Sequence, residues 1–405
     1  MADGELVFSG LKVLDLASFI AGPAAATILG DFGADVIKIE APGGDPYRAL
    51  DKAPGMPVAD IDYHWQLDNR NKRSLMLNLR DPDGRAVLDK LLVDTDVVVT
   101  NFVPAIRQRL GIGYEDVAKI NPRIIYAVIT GYGENGAEAD KPGFDSSALW
   151  ARSGLMDVVK PDPEGAPARS APGQGDHPTA VSLFAAIATA LYQRERSGKG
   201  MQVDTSLLAN GIWSNAYFAQ AALCGSEIPR RPHRDRFPNA MTNHFKCRDG
   251  HWFILSMVNE DKQWDAFCQA VGRPELRTDP RFAVKTDRHA NSVALIEILD
   301  DVFMQKDWTE WQKVLDEYRI TFGVISRMSD LSDDRQLIDS GTIVPGEGLG
   351  GKDRHAIDSP LWLRGFPKRP AGPAPTIGQH HIDILTEAGL SEAEIKALKA
   401  KGAVG

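Results

Sequence analysis

The sequence predicts an α/β protein: a large domain with a Rossmann-like open, mostly parallel sheet, followed by a smaller α+β domain. Short apolar runs alternate with helical segments from Leu11 to Gly133, the signature of repeated βαβ units. A proline- and arginine-rich stretch at 228–238, IPRRPHRDRFP, reads as a linker between the two parts. A chain of 405 residues with 43% hydrophobic content also exceeds one core, since single cores stop growing near ~250–300 residues.

The elements follow in order. LKVLDL at 11–16 is a short apolar run of buried-strand type, and Gly22-Pro23 opens a small-residue helix closed by Gly33. A second strand covers Asp35–Glu40 and completes the first βαβ unit. The alternation continues with a strand at 74–79, a helix over 82–92, a strand at 96–101, a helix near 105–110 and a strand within 123–133. Beyond the linker, NHFKCRDGHWFILSM predicts a hairpin turning on Asp249-Gly250, and 261–319 carries two helical patterns rich in Trp and Phe. The expected domains are therefore 1–227, 228–325 and a segment 326–405. That last segment has too few apolar positions for its own core, is rich in Gly and Pro from 341 to 378, and is expected to return to the first domain.

Net charge is −9, with both signs spread along the chain, which argues against nucleic acid or an anionic membrane as partner. Cys224, Cys247 and Cys268 are spaced too widely for a CxxC motif and are odd in number, so a reducing cytoplasm is expected and a disulfide framework is not. The start shows no basic region followed by an apolar one, and no apolar run reaches membrane-spanning length. The histidines are scattered, and no metal is expected.

The segment Pro172-Gly173-Gln174-Gly175-Asp176-His177-Pro178 is a glycine-rich turn running into a helix over about 179–193. An aspartate there serves either as an N-cap or as a working carboxylate. Gly131-Tyr132-Gly133-Glu134-Asn135-Gly136 matches GxGxxG after a strand, but Pro142-Gly143 breaks the helix a dinucleotide site requires. These glycines are read as shaping an active-site loop.

Several segments together resemble the class III CoA-transferases, the CaiB/BaiF family that includes formyl-CoA transferase, carnitine CoA-transferase and α-methylacyl-CoA racemase. They are LDLxxxxAGPxxxxxLxxxGADVIKIE at 14–40, Asn71-Lys72-Arg73-Ser74, Asn101-Phe102 with Arg109 and Gly111, Asn121-Pro122-Arg123, and the GYGxxG…PGFD block. They fall in family order along nearly the whole chain. The GDHPTA setting of Asp176 is most similar to the 2-hydroxyacyl and aryl-acyl CoA-transferases.

The resemblance implies an interlocked homodimer with a large domain made from both chain ends. It also implies Asp176 as the nucleophile, with Gly173 and Gly175 supplying backbone N–H donors to the oxyanion and Asp176 itself ionised. Positions matching CoA contacts are Ser18, Phe19, Ile20, Asn101, Phe102, Arg109 and Lys141; Lys38 and Arg73 are added on charge alone. Coenzyme A enters as substrate, with no tightly bound cofactor implied. The racemase branch carries a catalytic His where this chain has Phe144, which cannot move a proton, and the glycine run of formyl-CoA transferase is absent from 239–260. A bulkier acid than formate or oxalate is expected. An acyl-CoA racemase or isomerase, and a non-catalytic acyl-CoA-binding protein, remain the alternatives.

Overall fold

A computed structural model describes residues 6–350 and 354–405. The chain divides into two compact units. One holds the chain up to Leu155, Arg169–Ser226 and Arg335–Gly405; the other holds Met156–Ala168 and Glu227–Asp334.

The first unit is organised by a six-stranded parallel sheet: β1 (Lys12–Asp15), β2 (Asp35–Glu40), β3 (Arg73–Met76), β4 (Val97–Thr100), β5 (Ile125–Thr130) and β6 (Met201–Ser206). Its order is β3-β2-β1-β4-β5-β6. Every residue of β4 and β5 is buried, as expected where helices cover both faces of a parallel sheet. One face packs against α1 (Ala21–Asp31), which is buried along its whole length. Its small residues permit this close approach: a Cβ on Gly22 would fall 2.3 Å from Cβ of Ala17. The helix over residues 176–197 completes that layer through Ala180, Leu183, Ile187 and Ala190.

The other face is covered by helices that include α2 (Pro82–Leu92) and α3 (Tyr114–Ile120), and by the carboxyl-terminal tail. The tail's Ile384, Leu385, Leu390, Ile395 and Val404 join this core, and Val404 bridges to Leu77 beside β3. The tail thus supplies apolar surface that the sheet would otherwise expose. Its last helix, Glu392–Ala400, starts on a capping box in which Ser391 and Glu394 satisfy each other's free backbone donors.

Between β1 and β4 the connections diverge to opposite sides of the sheet, leaving a crevice at the strands' carboxyl ends. Ser18, Phe19 and Ile20 follow β1 and Asn101 and Phe102 follow β4, so both segments open onto it.

The second unit has an antiparallel sheet of β7 (His244–Lys246), β8 (Trp252–Leu255) and β9 (Phe322–Ile325), with helices that include Glu260–Ala270, Ser292–Phe303 and Trp308–Glu317. Phe245, Phe253, Phe267, Phe303 and Trp311 form its core. The stretch 228–238 is less of a linker than its composition implied. Arg234 is fork-bonded to Asp300 and lies over the rings of Phe245 and Trp252, so its charge and planar face tie the segment to this unit.

The stretch Leu207–Leu223 forms two helices, Leu207–Ser214 and Ala216–Leu223, because Asn215 leaves helical geometry at φ −104° and ψ 19°. One further expectation changes. The helix after the glycine turn begins at Asp176 rather than near 179, since Pro178 is tolerated in a first turn where its missing N–H has no partner to lose.

Candidate active site

Asp176 is the first residue of the Asp176–Ser197 helix, with Gly175 at the cap position. The side chain does not cap the helix, and among the described residues its carboxylate accepts no hydrogen bond. Thr179 instead secures the start, its N–H and Oγ1 both donating to the Gly175 carbonyl at 3.2 and 2.7 Å. The carboxylate is left to line a cleft of about 1120 Å³ with Ser18, Phe19, Asn101, Phe102 and Phe144.

Burial pushes the Asp176 carboxyl up to about 7, the charges of Asp145 and Asp68 add to the rise, and His177 opposes it. Burial and the neighbouring carboxylates thus work against the ionised form that the resemblance implies for this residue. A raised pKa also makes the ionised fraction more basic than an ordinary aspartate.

The turn is built on glycine for two separate reasons. Gly173 has φ +81°, a left-handed conformation, and a Cβ there would meet the His177 ring at 3.0 Å. Gly175 is a packing requirement, because a Cβ would fall 2.8 Å from Leu149 Cδ1. Its N–H points to Asp145 Oδ2 at 3.5 Å and is not free for an oxyanion, whereas the Gly173 N–H has no partner among the described residues.

The Ser18–Ile20 segment is held from two sides. Asn101 accepts from the Ser18 N–H at 3.0 Å and donates to the Ser18 carbonyl at 2.8 Å. Asn101 is thus a clamp on the loop as well as a lining residue. Phe19 adopts φ 63°, unusual for a bulky residue, and is held there by its N–H bond to Asp45 Oδ1 at 3.2 Å. Its ring meets Phe144 edge-on, centroids 5.4 Å apart, across the cleft wall.

The cations chosen on charge alone are placed elsewhere. Lys38 is 0% exposed and pairs with Asp45 at 3.0 Å and Asp15 at 3.8 Å; burial lowers its pKa, but these carboxylates more than offset that and leave it raised. A permanently paired interior ammonium cannot meet a phosphate, so Lys38 is a structural residue that holds the Phe19 loop through Asp45. Arg73 forks onto Asp35 and Glu387, which tie β3 to the tail, so its guanidinium is likewise committed. Lys141 is exposed and paired with Glu138 at 2.8 Å; its neighbours Asp140 and Pro142 line the cleft.

Arg109 is placed differently. With Arg80, Asn78, Phe102 and Ile106 it lines an adjoining cleft of about 550 Å³, and neither arginine has an ion pair among the described residues. Phe102 and Ile106 line both spaces.

Four residues of the larger site were not singled out beforehand. Arg169 is exposed, is without an ion partner among the described residues, and is the one basic side chain lining the larger cleft. The charges of Asp145 and Asp68 act on Asp176, Asp68 also bonds the His177 ring, and Tyr47 donates to Asp68. Asp145 lay inside the PGFD block and was legible there; nothing local marks Asp68 or Tyr47.

Comparison with known proteins agrees with this geometry. The model of CoA-transferase family III matches residues 8–381, and the chain belongs to that family. It is 32% identical to (R)-2-hydroxy-4-methylpentanoate CoA-transferase of Clostridioides difficile, over 97% of this chain and 98% of that one. It is 30% identical to cinnamoyl-CoA:phenyllactate CoA-transferase of Clostridium sporogenes, over 98% and 97%. A CAIB/BAIF family protein from Brucella suis superposes with TM-score 0.84 and 29% identity, covering 95% of this chain and 100% of that structure. The protein is accordingly an enzyme of the transferase class, a CoA-transferase. No helix among the described residues is long and apolar enough to cross a membrane.

Proposed function

We propose that Asp176 is the nucleophile of a CoA transfer from an acyl-CoA to a carboxylic acid. The observation that carries this is an unpartnered carboxylate at a helix start, facing a cleft large enough for a thioester and its acyl group.

The steps balance as two exchanges. An Asp176 carboxylate oxygen attacks the thioester carbonyl, the C–S bond breaks, and CoA leaves as thiolate, giving a mixed anhydride. The thiolate attacks the aspartyl carbonyl, the C–O bond breaks, and the donor acid departs, leaving an aspartyl-CoA thioester. The acceptor carboxylate then attacks the aspartyl thioester carbonyl, the C–S bond breaks and CoA thiolate leaves a second mixed anhydride; the thiolate attacks its acceptor carbonyl, the anhydride C–O bond breaks, and Asp176 is released as carboxylate with the acceptor acyl-CoA. Each tetrahedral oxyanion needs a donor, and the Gly173 N–H fits that role. The adjoining cleft, with Arg80, Arg109 and Phe102, suits the charged nucleotide end of CoA.

Phe19, Ile20, Met56, Phe144 and Leu207 give the larger cleft an apolar wall suited to a branched or aromatic acyl group rather than formate. Arg169 supplies the counter-charge for an incoming carboxylate. The named activities of the two bacterial relatives, on a branched 2-hydroxy acid and on phenyllactate, support the same substrate class. Trp213 and Tyr217, 81% and 85% exposed, offer an apolar surface that supports a homodimer, and a cytoplasmic setting accords with the three free cysteines.

The test is intact-protein mass spectrometry after mixing with a panel of acyl-CoAs, trapping with hydroxylamine or borohydride, and peptide mapping. Modification confined to Asp176, lost in Asp176→Ala, is the expected result. Deuterium exchange at Cα without an acceptor acid, with no modified peptide, would replace this reading by an isomerase.

A further inference from the structure

His177 directly follows the proposed nucleophile, and its ring is fixed from outside its own helix. Its Nε2 lies 2.9 Å from Oδ1 of Asp68, in the helix Tyr63–Asn69, and the other Asp68 oxygen accepts the Tyr47 hydroxyl at 2.6 Å. Asp68 and Tyr47 are 1% and 2% exposed. Asp68 is also held by its backbone: its carbonyl accepts Lys72 Nζ at 2.8 Å and Thr27 Oγ1 at 2.5 Å. The His177 N–H donates to the Gly173 carbonyl at 3.1 Å, and the ring fills the space beside Gly173 that a Cβ would need. The imidazole is therefore built into the turn that presents Asp176.

The surrounding charges are unequal. Asp68 faces the ring from one helix, Asp176 is its sequence neighbour, and Asp145 bears on Asp176 from the start of the π-helical turn Asp145–Ala151. Tyr47 also faces Asp68, and its phenol, driven far above its ordinary range by burial and then by Asp68, stays a donor. The Lys72 ammonium bonds the Asp68 backbone but is paired with Asp15 at 2.9 Å. Two carboxylates, Asp68 and Asp176, thus bear on one imidazole, with Asp145 acting on Asp176, and enclosed carboxylates without a counter-charge are costly.

We propose that the Tyr47–Asp68–His177 chain is a built-in counter-charge for the nucleophile: Asp68 holds His177 as an imidazolium, and His177 keeps Asp176 in the carboxylate form that attacks the thioester. His177 is a positioning residue in this scheme, acting through Asp176, and the inference rests on Asp176 being the nucleophile. Burial works against the charged ring, but the Asp68 hydrogen bond and charge outweigh it and raise the His177 pKa, in the required direction.

The experiment is the pH dependence of kcat/KM from pH 5.5 to 8.5 for the full-length protein and its His177→Gln and Asp68→Asn variants, with borohydride trapping at pH 8.5. Glutamine can keep a hydrogen bond to Asp68 and carries no charge. Loss of a neighbouring opposite charge moves a carboxyl by about one pH unit. The acid limb of His177→Gln should therefore shift upward by about one pH unit, with about tenfold lower kcat/KM at pH 6.5 and near-convergence with the parent at pH 8.5. Asp68→Asn removes a carboxylate that itself raises Asp176 together with the charge it holds on His177, so its limb should shift upward by less than that of His177→Gln; His177→Asn serves alone if His177→Gln does not fold. Profiles lowered equally at every pH would overturn the proposal and leave the pair as a structural pin between two helices. The trap separates the two readings: a modified Asp176 with parallel profiles removes only the counter-charge, whereas no modified Asp176 in the parent protein removes both.

Discussion

Replacing Asp176 by Asn should stabilise the protein as well as inactivate it, because the folded state holds this carboxyl at a cost. The group rises from an ordinary value of 3.8 to about 7 on folding. Between those two pH values the folded chain binds the proton that the unfolded chain has released, so stability falls as pH rises through the window and levels off above it. At about 1.4 kcal/mol per tenfold change the full penalty is about 4 kcal/mol. The carboxylate opens onto the cleft and keeps part of its hydration, which brings the expectation nearer 2 kcal/mol. Asn, close in shape to the protonated acid, carries no such penalty. Thermal midpoints at matched scan rates should coincide for parent and Asp176→Asn near pH 4 and separate by about 2–3 °C at pH 8. A constant gap across that range, or a less stable variant at pH 8, would refute the assignment of a burial-raised carboxyl.

Three further outcomes follow from the site. Asp145→Asn removes a negative charge beside Asp176, so the acid limb of kcat/KM should move to lower pH; an unmoved limb would show that Asp145 acts only through the Gly175 N–H. Arg169→Met should raise KM for the acceptor acid about tenfold, while trapping of the donor half-reaction persists; equal loss in both would assign Arg169 to CoA instead. Lys38→Met strands the Asp45 carboxylate in the interior, while Asp15 keeps Lys72, and should cost about 3–5 kcal/mol by denaturant unfolding. Unchanged stability with weakened CoA binding, read by calorimetry, would restore Lys38 as a phosphate ligand.

The sequence by itself determined the parallel sheet, because strand and helix periodicities are local and the breaks at Gly33, Pro82 and Pro104 sit at element boundaries. It also marked Asp176, since a glycine turn before a helix is a contiguous pattern, and the crevice segments Ser18–Ile20 and Asn101–Phe102, each of which follows its own strand. Charge was the poorest guide. Lys38, Arg73 and Arg109 look alike along the chain, and only tertiary packing separates an ammonium sealed against two aspartates and a guanidinium locked to the tail from one left facing a cleft. Electrostatic partners lie far apart in sequence: Asp68 reaches His177 across 109 positions, and Asp145 stands 30 from the Gly175 N–H it accepts. The identity of the carboxylate was local information. Its pKa was not, because burial and neighbouring charge are set by residues that only the fold brings together.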